Sequence, residues 1–439
     1  MSLVSPFLDL LQPFAFVMTA PTFQTFTWIV TGWLFAPRRT ITGMMRAAGV
    51  VGRKHHSAFH RVFSSARWSR DRLGLALFDV ASAWIDGTVL LAVDDTLARK
   101  RGRTMFGVGM HLDPLLSSRG KTIVNWGQSW VVLGVLVRFP LWPERWFFLP
   151  VLFRLYLNKT AAARHRRACR TRPELALEML NLLCRTEKDR RFHLIGDSAY
   201  GGQNVLSALP ENCDLTSRLV LDARLYDRPP VRKPGQNGRP RKRGQRQATP
   251  AEMLGARCRR VALAIYGRRD RVRLTEATAC VHAVPDRLLR IVVVEPLTGG
   301  RKPQAFYSTA ADAAAEQVLA WYASRWSLEV TFHDAKQHLG FEQPQTWSRK
   351  SVQRTAPTAL LLYSLIVLWF VKEGHRFARA RHRPWYTRRR AASFADMLAT
   401  LKSQSLKQHL QQQVLSTPLS ERGRRKLLKT LQTTLSLAA

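Results

Sequence analysis

WYASRWSLEVTFHDAK, residues 321–336, is the stretch on which the fold assignment depends. No Gly or Pro occurs between Ala310 and Leu339, and Ser308 and Thr309 can serve as N-caps, so the sequence predicts one α-helix here. At about 100° per residue, four polar side chains fall on a stripe about 60° wide, beside an apolar edge that can dock on a core. The stripe consists of Tyr322, Arg325, Glu329 and Lys336, and the edge consists of Trp321, Leu328, Phe332 and Leu339.

Two interpretations of this stripe are open. One carboxylate between two cations, on a helix with a buried edge, suits a metal-dependent site that acts on a polyanion. The same residues would also suit a solvated helix face, because Arg325 and Glu329 stand four residues apart and can form an ion pair. Motifs elsewhere in the chain are needed to decide between the two.

Two aspartate motifs follow hydrophobic strands earlier in the chain. Residues 88–96, TVLLAVDDT, are a continuous apolar run that predicts a strand buried on both faces and ending at Asp94 and Asp95. Residues 192–202, FHLIGDSAYGG, predict a short strand with Asp197 at its tip and a glycine turn into a helix. Between the two motifs, residues 172–185 predict an amphipathic helix begun by Thr171 and Pro173. Because side chains alternate along a strand, only one of Asp94 and Asp95 can face a site on one side of the sheet.

The DDT motif, the GDSAYGG motif and the spacing Y-x2-R-x3-E-x6-K, in this order, resemble the DDE transposases of bacterial insertion sequences. The resemblance covers roughly residues 88–370. It implies an α/β fold, an RNase H-like mixed sheet with flanking helices. That core would be interrupted by a β-rich insertion and preceded by an N-terminal helical domain.

The resemblance also implies a role for each residue of the motifs. In the family the first acid directly precedes Thr, which selects Asp95 and leaves the role of Asp94 open. The expected catalytic residues and metal ligands are Asp95, Asp197 and Glu329. The residues expected to bind the DNA backbone are Tyr322, Arg325 and Lys336.

The chemistry implied by this resemblance is metal-dependent phosphodiester cleavage. Carboxylate ligands without a nearby His or Cys cluster favour Mg²⁺, or Mn²⁺, over zinc. A pair of such ions would activate a water or a 3′-hydroxyl and stabilise the leaving oxygen. We expect cleavage at transposon ends followed by strand transfer into target DNA. The alternatives are an RNase H-like nuclease without transposition and a catalytically inert DNA-binding protein.

The composition points to a nucleic-acid partner. Among 439 residues, 69 Lys and Arg against 30 Asp and Glu give a net charge of +39, which points to a polyphosphate partner. The resemblance implies that this partner is double-stranded DNA, namely terminal inverted repeats and target DNA. We expect a homodimer on DNA. Five scattered cysteines predict neither disulfides nor a zinc site. The apolar run 359–371 is too short to span a bilayer, so we expect a buried helix, no membrane, and a cytoplasmic, nucleoid-associated protein.

The chain divides into five expected regions. Residues 1–85 are predicted to be helical, with a basic helix-turn-helix candidate between Arg38 and Arg61. Basic loop 228–247 and basic segment 375–390, which includes Trp385 and Tyr386, suit contacts with the phosphate backbone. The boundaries are 1–85 helical, 86–213 first catalytic part, 214–300 β-rich insertion, 301–374 second catalytic part, and 375–439 basic helical C-terminal region.

The second-strand cleavage route is a separate question. Some members of this group close the element's ends as hairpins and hold a flipped base on a Trp of the β insertion. Residues 214–310 contain no Trp, so those details are not expected to transfer unchanged. We expect either a hairpin supported by another aromatic residue or a route without a hairpin. The candidates in this region are Tyr226, Tyr266, Phe306 and Tyr307, and a Trp from elsewhere in the chain is a further candidate.

Overall fold

The N-terminal part of the protein is helical, as the sequence predicts. The computed structural model describes residues 2–113, 116–118, 120–231, 241–255, 258–265, 268–282, 284–297, 302–378, 391–416, 420–423 and 427. The first helices are α1 Ser5–Asp9, α2 Ala20–Phe35, α3 Ile41–Ala48, α4 His56–Ser64 and α5 Arg70–Ser82, with a 3-10 turn at Gln12–Val17.

The pair α3 and α4 forms the expected helix–turn–helix hairpin. Thr40 begins α3 by accepting a hydrogen bond from the Gly43 N–H at 3.0 Å. Gly49 ends the helix in the left-handed region at φ +68°, which glycine adopts without steric cost. The exposed side chains of α4 include His56, His60 and Arg61, so a basic face is open to solvent.

One mixed sheet holds the eleven strands of the described residues. Its order is β2-β3-β1-β5-β6-β11-β10-β9-β7, with β4 paired to β3 and β8 paired to β9. The pairs β1–β5 and β5–β6 are parallel, and the others are antiparallel. The strands are β1 Val89–Arg99, β2 Gly109–Leu112, β3 Val124–Phe139, β4 Trp142–Tyr156, β5 Phe192–Ile195, β6 Cys213–Leu219, β7 Leu225–Tyr226, β8 Arg259–Ile265, β9 Arg268–Val281, β10 Val284–Pro296 and β11 Gln304–Ser308.

The path β4-β3-β1-β5-β6 is an antiparallel meander followed by two parallel strands, which is the arrangement of an RNase H-like fold. The parallel strands are joined by helices, as parallel connections require. Thr171 begins the helix Arg172–Thr186 with a complete capping box to Glu174, at the predicted start. The helices on this part of the chain are α6 Lys159–Arg164, α7 Arg172–Thr186 and α8 Gln203–Ser207.

The segment expected as a separate β-rich insertion extends this same sheet. β11 pairs with β6 on one side and with β10 on the other, so strands β8 to β10 continue the catalytic sheet. The expected boundary at residue 214 falls within β6, which pairs with β5. A short helix, α9 Pro250–Met253, lies in this segment, and residues 232–240 of the predicted basic loop are outside the described residues.

The C-terminal helices complete the core on one face of the sheet. Most of α12 is buried, and its apolar window is 94% inside the protein. It is the one described helix long and apolar enough to cross a bilayer, but its burial confirms the predicted core helix. These helices are α10 Ala315–Ser324, α11 Trp326–Leu339, α12 Arg349–Lys372 and α13 Phe394–Ser416, with a 3-10 turn at Gly374–Phe377. Residues 379–390 of the predicted basic segment, including Trp385 and Tyr386, lie outside the described residues.

The single helix predicted over 310–339 is wrong in two respects. It begins at Ala315, because Ser308 ends β11 and the Thr309 hydroxyl donates to Asp214 at 2.8 Å instead of capping a helix. It is also divided at Arg325. The Ser324 hydroxyl donates to Trp321 O at 2.6 Å, and such back-bonding competes with the helix amides and bends helices.

The N-terminal helices are bound to the catalytic part by buried polar contacts. The Trp33 indole N–H donates to Leu339 O at 2.9 Å. Arg354 of α12, 8% exposed, donates to Ala66 O at 2.9 Å and to Trp68 O at 2.5 Å, with its guanidinium 4.2 Å from the Trp68 ring. These contacts fix the helices against the core.

Candidate active site

The first acidic pair lies beside an opening in the sheet. β1 pairs with β3 through Arg99, but its parallel pairing with β5 ends at Ala92, opposite Ile195. β5 stops there, so Asp94 and Asp95 follow at the point where the neighbouring strand turns away. A crevice at the carboxyl ends of parallel strands is where open α/β sheets bind ligands.

Asp197 lies at the end of β5, in a turn that fixes its carboxylate. Its Oδ1 accepts hydrogen bonds from the N–H groups of Ala199 at 2.9 Å and Tyr200 at 3.3 Å. Gly201 is needed nearby, because a Cβ at that position would lie 2.1 Å from the Ser217 hydroxyl oxygen. The glycine turn predicted from GDSAYGG therefore exists, and it presents Asp197 at the opening.

Asp95 points to the face of the sheet covered by α7. Arg172, the first residue of α7, places its Nε 3.0 Å from Asp95 Oδ2. The hydroxyl groups of Tyr200 and Ser129 donate to the same carboxylate at 3.1 and 3.3 Å. Burial raises the pKa of Asp95 and Asp197 adds to that effect, while Arg172 opposes it.

Asp94 points to the opposite face, which α11 covers. Arg325 Nη1 lies 2.6 Å from Asp94 Oδ2, and the Asp95 N–H donates to Asp94 Oδ1 at 2.8 Å. Burial raises the pKa of Asp94 to about 7; Arg325 opposes this shift and Asp197 adds to it. Asp197 therefore acts electrostatically on both carboxylates.

Glu329 is linked to Asp94 through Arg325. Arg325 Nη2 lies 3.0 Å from Glu329 Oε1, so the i,i+4 ion pair considered from the sequence forms. It is not part of a solvated face, because the Arg325 side chain is only 14% exposed and its other Nη atom binds Asp94. Asp94, Tyr322 and Glu329 outweigh the effect of burial and raise the pKa of Arg325.

The other two residues of the signature are more enclosed than DNA-binding side chains usually are. Tyr322 is 7% exposed, and its ring packs 4.6 Å from that of Phe306. The Lys336 side chain is 19% exposed and its Nζ lies 4.0 Å from Glu342 Oε1. Burial lowers the pKa of Lys336 despite this carboxylate. The centroid of the Tyr322 ring lies 5.7 Å from the Arg325 guanidinium, and Lys336 is paired with Glu342 and not with the acids of the site.

Whether these acids fit a metal ion depends on their donor chemistry and spacing. The candidate donors are carboxylate oxygens, which suit Mg²⁺ or Mn²⁺. The Arg325 guanidinium lies between Asp94 and Glu329, so this cation neutralises part of the negative charge of the site. Within the described part of the chain, no group of three or more His, Cys, Asp or Glu side chains is gathered closely enough to hold a metal. The donor types therefore suit such an ion, but the structure does not gather the three expected acids around one point. Glu329 lies with Asp94 on the face opposite Asp95, and Arg325 occupies the space between them.

Two side chains of the site were missed from the sequence. Arg172 follows Thr171, the residue that signalled the start of α7, and Tyr200 lies within the GDSAYGG motif. The sequence signal for Tyr200 was its position three residues after Asp197 in a glycine-rich turn. Arg172 gave no signal, because its contact with Asp95 joins segments that are distant in sequence.

The comparison with protein families places this geometry in a known group. No curated protein matches the chain at a significant level. Residues 14–275 match the family model described as DDE superfamily endonuclease. The matched residues include Asp94, Asp95 and Asp197, and Glu329 lies beyond the match. Because the match covers more than half of the 439 residues, this chain belongs to the DDE superfamily endonucleases.

Proposed function

We propose that this protein is a DNA transposase that cleaves phosphodiester bonds at transposon ends in a metal-dependent reaction and joins those ends to target DNA. Membership in a family of endonucleases establishes a nuclease or transposase type of function. The observation that carries the finer proposal is the Asp94–Arg325–Glu329 contact beside Asp197 and Asp95. It joins acids from two strands and one helix to the basic residues of the transposase-like signature.

The acids proposed to hold Mg²⁺, with Mn²⁺ as the other candidate, are Asp95, Asp197 and Glu329. Bound ions of this kind supply an activated oxygen nucleophile and stabilise the leaving oxygen. Asp197 is held by its turn and Asp95 by Tyr200 and Arg172, so both are positioned before any ion arrives. Glu329 lies with Asp94 on the other side of β1, so it completes the set only after it leaves Arg325 and moves towards Asp95.

The proposed DNA-contacting residues of the site are Tyr322, Arg325 and Lys336. A phosphate entering the opening would give Arg325 an alternative anionic partner to Glu329, and a guanidinium binds such oxygens with two parallel hydrogen bonds. Lys336 adds a positive charge on the same helix, and the Arg325 guanidinium lies over the Tyr322 ring, 5.7 Å from its centroid, which helps to hold it in place. DNA binding and release of Glu329 are thereby coupled.

The partners follow from the same proposal. A net charge of +39 supports binding to double-stranded DNA, both the terminal inverted repeats and the target. The exposed basic face of α4 is a candidate for contact with the repeats. We further propose a homodimer on DNA and a cytoplasmic, nucleoid-associated location.

The alternative functions are a nuclease of the same fold without strand transfer and a catalytically inert DNA-binding protein. Inverted repeats that flank the gene would favour the transposase. Those repeats also supply the substrate for the test.

The test is cleavage of a labelled duplex that carries one such repeat, with Mg²⁺, with Mn²⁺ and with a chelator. We expect a nick at the element end with metal, and joining to a target plasmid that requires the free 3′-hydroxyl. Glu329→Gln should abolish both steps, while Glu316→Gln, which changes a half-buried acid of α10 paired with Arg259, should retain them. Cleavage without joining would support the nuclease, and no cleavage under any metal would support the inert protein.

A further inference from the structure

A cavity of about 410 Å³ lies on the α7 face of the sheet, apart from the acidic site. Its volume falls within the range of about 300–1,000 Å³ typical of ligand sites. It is bounded by α5, the end of β4, the segment before α7, α7 itself and the first turns of α12. Five arginines from four of these elements line it, and they are Arg70, Arg154, Arg167, Arg170 and Arg349.

Carboxylates satisfy only part of this positive charge. Arg154 binds Asp71 at 2.7 Å and Glu178 at 2.7 Å, and Arg170 binds the other oxygen of Glu178 at 2.5 Å. In the described part of the chain, Arg167 and Arg349 form no ion pair, so five guanidinium groups face two carboxylates. An anion in the cavity would therefore reduce repulsion among the arginines.

Arg70 has an unused hydrogen-bond donor in this place. Its Nη1 is buried without a hydrogen-bond partner among the described residues, and its Nε is 3.6 Å from Asp71. Burial and then the charge of Arg154 lower the pKa of Arg70 to about 10. A buried guanidinium N–H without an acceptor costs free energy, and an anionic ligand with several oxygens would remove that cost.

The position of the cavity relates it to the acidic site. Arg154 is aligned across β3 with Asp95, since Val131 pairs with both residues. Two strand spacings place the cavity roughly 10 Å from Asp95 on the same face. That corresponds to about three nucleotides of one DNA strand, at 3.4 Å each along the axis.

An exposed aromatic side chain accompanies the arginines. Trp347 is 70% exposed and lies two residues before Arg349. Its backbone oxygen accepts a hydrogen bond from Phe106, and Phe106 itself lines the cavity. Cationic groups beside an exposed aromatic ring suit a nucleic-acid strand, in which phosphates alternate with bases that can stack.

We propose that this cavity is a phosphate-binding site that holds a backbone phosphate of the DNA strand leading to the acidic site. The assignment of the ligand to DNA rests on the proposed function, whereas the binding of phosphate does not depend on it. The arginine fork of Arg70, with Arg167 and Arg349, would bind the phosphate oxygens. Arg154 and Glu178 would hold the cavity open.

The test uses the full chain and two matched double variants. Arg167→Gln with Arg349→Gln removes two exposed arginines of the cavity. Arg166→Gln with Lys350→Gln removes the same charge from their exposed neighbours, which do not line it. Both pairs should fold, because all four side chains are exposed.

The first measurement is thermal unfolding in inorganic phosphate against chloride at equal ionic strength. We expect phosphate to raise the melting temperature of the wild type and of the neighbour pair, but not of the cavity pair. The second is binding of a labelled duplex without divalent metal at several salt concentrations. The slope of log affinity against log salt should become shallower by about one unit in the cavity pair alone.

Equal behaviour of the two pairs in both measurements would overturn the phosphate site. A phosphate effect with an unchanged DNA slope would overturn the assignment to DNA and leave a site for a free anion. Neither measurement requires cleavage. A wild type that does not cut but shows the expected slopes would therefore contradict the proposed function and support this inference.

Discussion

Asp94 and Glu329 bind the same guanidinium, that of Arg325, at 2.6 and 3.0 Å. The first acid lies on a central strand and the second on a helix that packs over it. Without a cation between them, these two carboxylates and the nearby Asp197 would repel one another in a site with little solvent. Arg325 therefore holds the acidic site together in the absence of metal and DNA.

The first prediction concerns the contribution of the basic residues to DNA binding. Arg325→Ala and Lys336→Ala should each weaken binding with little change in sequence preference, because phosphate contacts position DNA without reading it. The salt slope should become shallower by about one unit for each phosphate that the variant no longer neutralises. The measurement is fluorescence anisotropy at several salt concentrations, with the exposed Arg185→Ala on α7 as control. Unchanged slopes in both variants would show that the polar stripe of Tyr322, Arg325, Glu329 and Lys336 has a structural role only.

The second prediction separates the neighbouring acids Asp94 and Asp95. Asp95→Asn and Asp197→Asn should abolish cleavage and leave metal-free DNA binding intact, because removing a carboxylate reduces repulsion of phosphate. Asp94→Asn should slow cleavage without abolishing it, since its partner Arg325 keeps the bond to Glu329. Gel-based cleavage assays and gel shifts measure the two properties. Loss of cleavage in the Asp94 variant with activity retained in the Asp95 variant would show that Asp94, and not Asp95, is the first catalytic acid.

A third prediction addresses how the N-terminal helices are attached. Arg354→Met should lower the free energy of unfolding by about 3 kcal/mol, because buried carbonyls such as Ala66 O and Trp68 O lose their donor. Denaturant unfolding monitored by Trp fluorescence measures the change. Lys350→Met, an exposed substitution on the same helix, is the control and should change stability little. Equal stability of the two variants would show that the helices are held by apolar packing alone.

A fourth prediction follows from a buried histidine away from the acids. His193, 2% exposed, bonds the Thr216 hydroxyl at 2.7 Å and packs 4.0 Å from the Trp321 ring. Burial lowers its pKa to about 4, and Asp214 opposes this only partly. The unfolded chain, with a His pKa of about 6.5, then binds more protons between pH 6.5 and 4. Stability contributed by neutral His193 is full above pH 6.5 and is lost as pH falls through this window.

His193→Gln should therefore flatten the pH dependence of unfolding between pH 6.5 and 4, by up to about 3 kcal/mol relative to wild type. Denaturant midpoints measured at half-unit steps of pH give this difference. His56→Gln, exposed on α4, is the matched control and should retain the wild-type dependence. Parallel curves for wild type and His193→Gln would contradict a neutral buried His193.

Local patterns in the sequence predicted much of the fold. Four predicted features occur at the predicted places in the structure. They are the apolar runs ending at Asp95 and at Asp197, the capped start of α7 and the buried α12. Each depends on contacts within a few residues, such as the Thr171 capping box. The face that each acid would occupy could not be predicted in the same way. A strand buried on both sides shows no alternation between polar and apolar residues, so nothing local distinguishes Asp94 from Asp95.

The features that escaped prediction depend on contacts between distant parts of the chain. The joining of the insertion to the catalytic sheet requires β11 to pair with β6, which no local pattern records. Arg172 reaches Asp95 only because α7 returns across the sheet. No Gly or Pro in the sequence marks the break at Arg325. The break follows from serine hydroxyl groups that compete with the backbone N–H groups for helix carbonyls.

The aromatic residues expected to support a flipped base during second-strand cleavage are largely enclosed. Phe306 is 3% exposed and packs on Tyr322, and Tyr307, also 3% exposed, donates its hydroxyl to Gly201 O at 2.5 Å. Tyr226 is 9% exposed, and Tyr266 lies outside the described residues. Trp326 is different, because it is 53% exposed and directly follows Arg325 at the start of α11.

The last prediction is that Trp326 supplies the stacking surface in place of a tryptophan in the insertion. Stacking on one aromatic ring is worth about 1–3 kcal/mol per base, so Trp326→Ala should slow second-strand cleavage about tenfold or more. The first nick should proceed at the wild-type rate, because the acids are untouched. Denaturing gels of end-cleavage products separate nicks, hairpins and double-strand breaks. Phe16→Ala, which removes an exposed aromatic side chain of the 3-10 turn Gln12–Val17, is the control and should leave the second cut unchanged. Unaltered product ratios in Trp326→Ala would exclude this stacking role, and wild type without any hairpin product would show that the second strand is cut by another route.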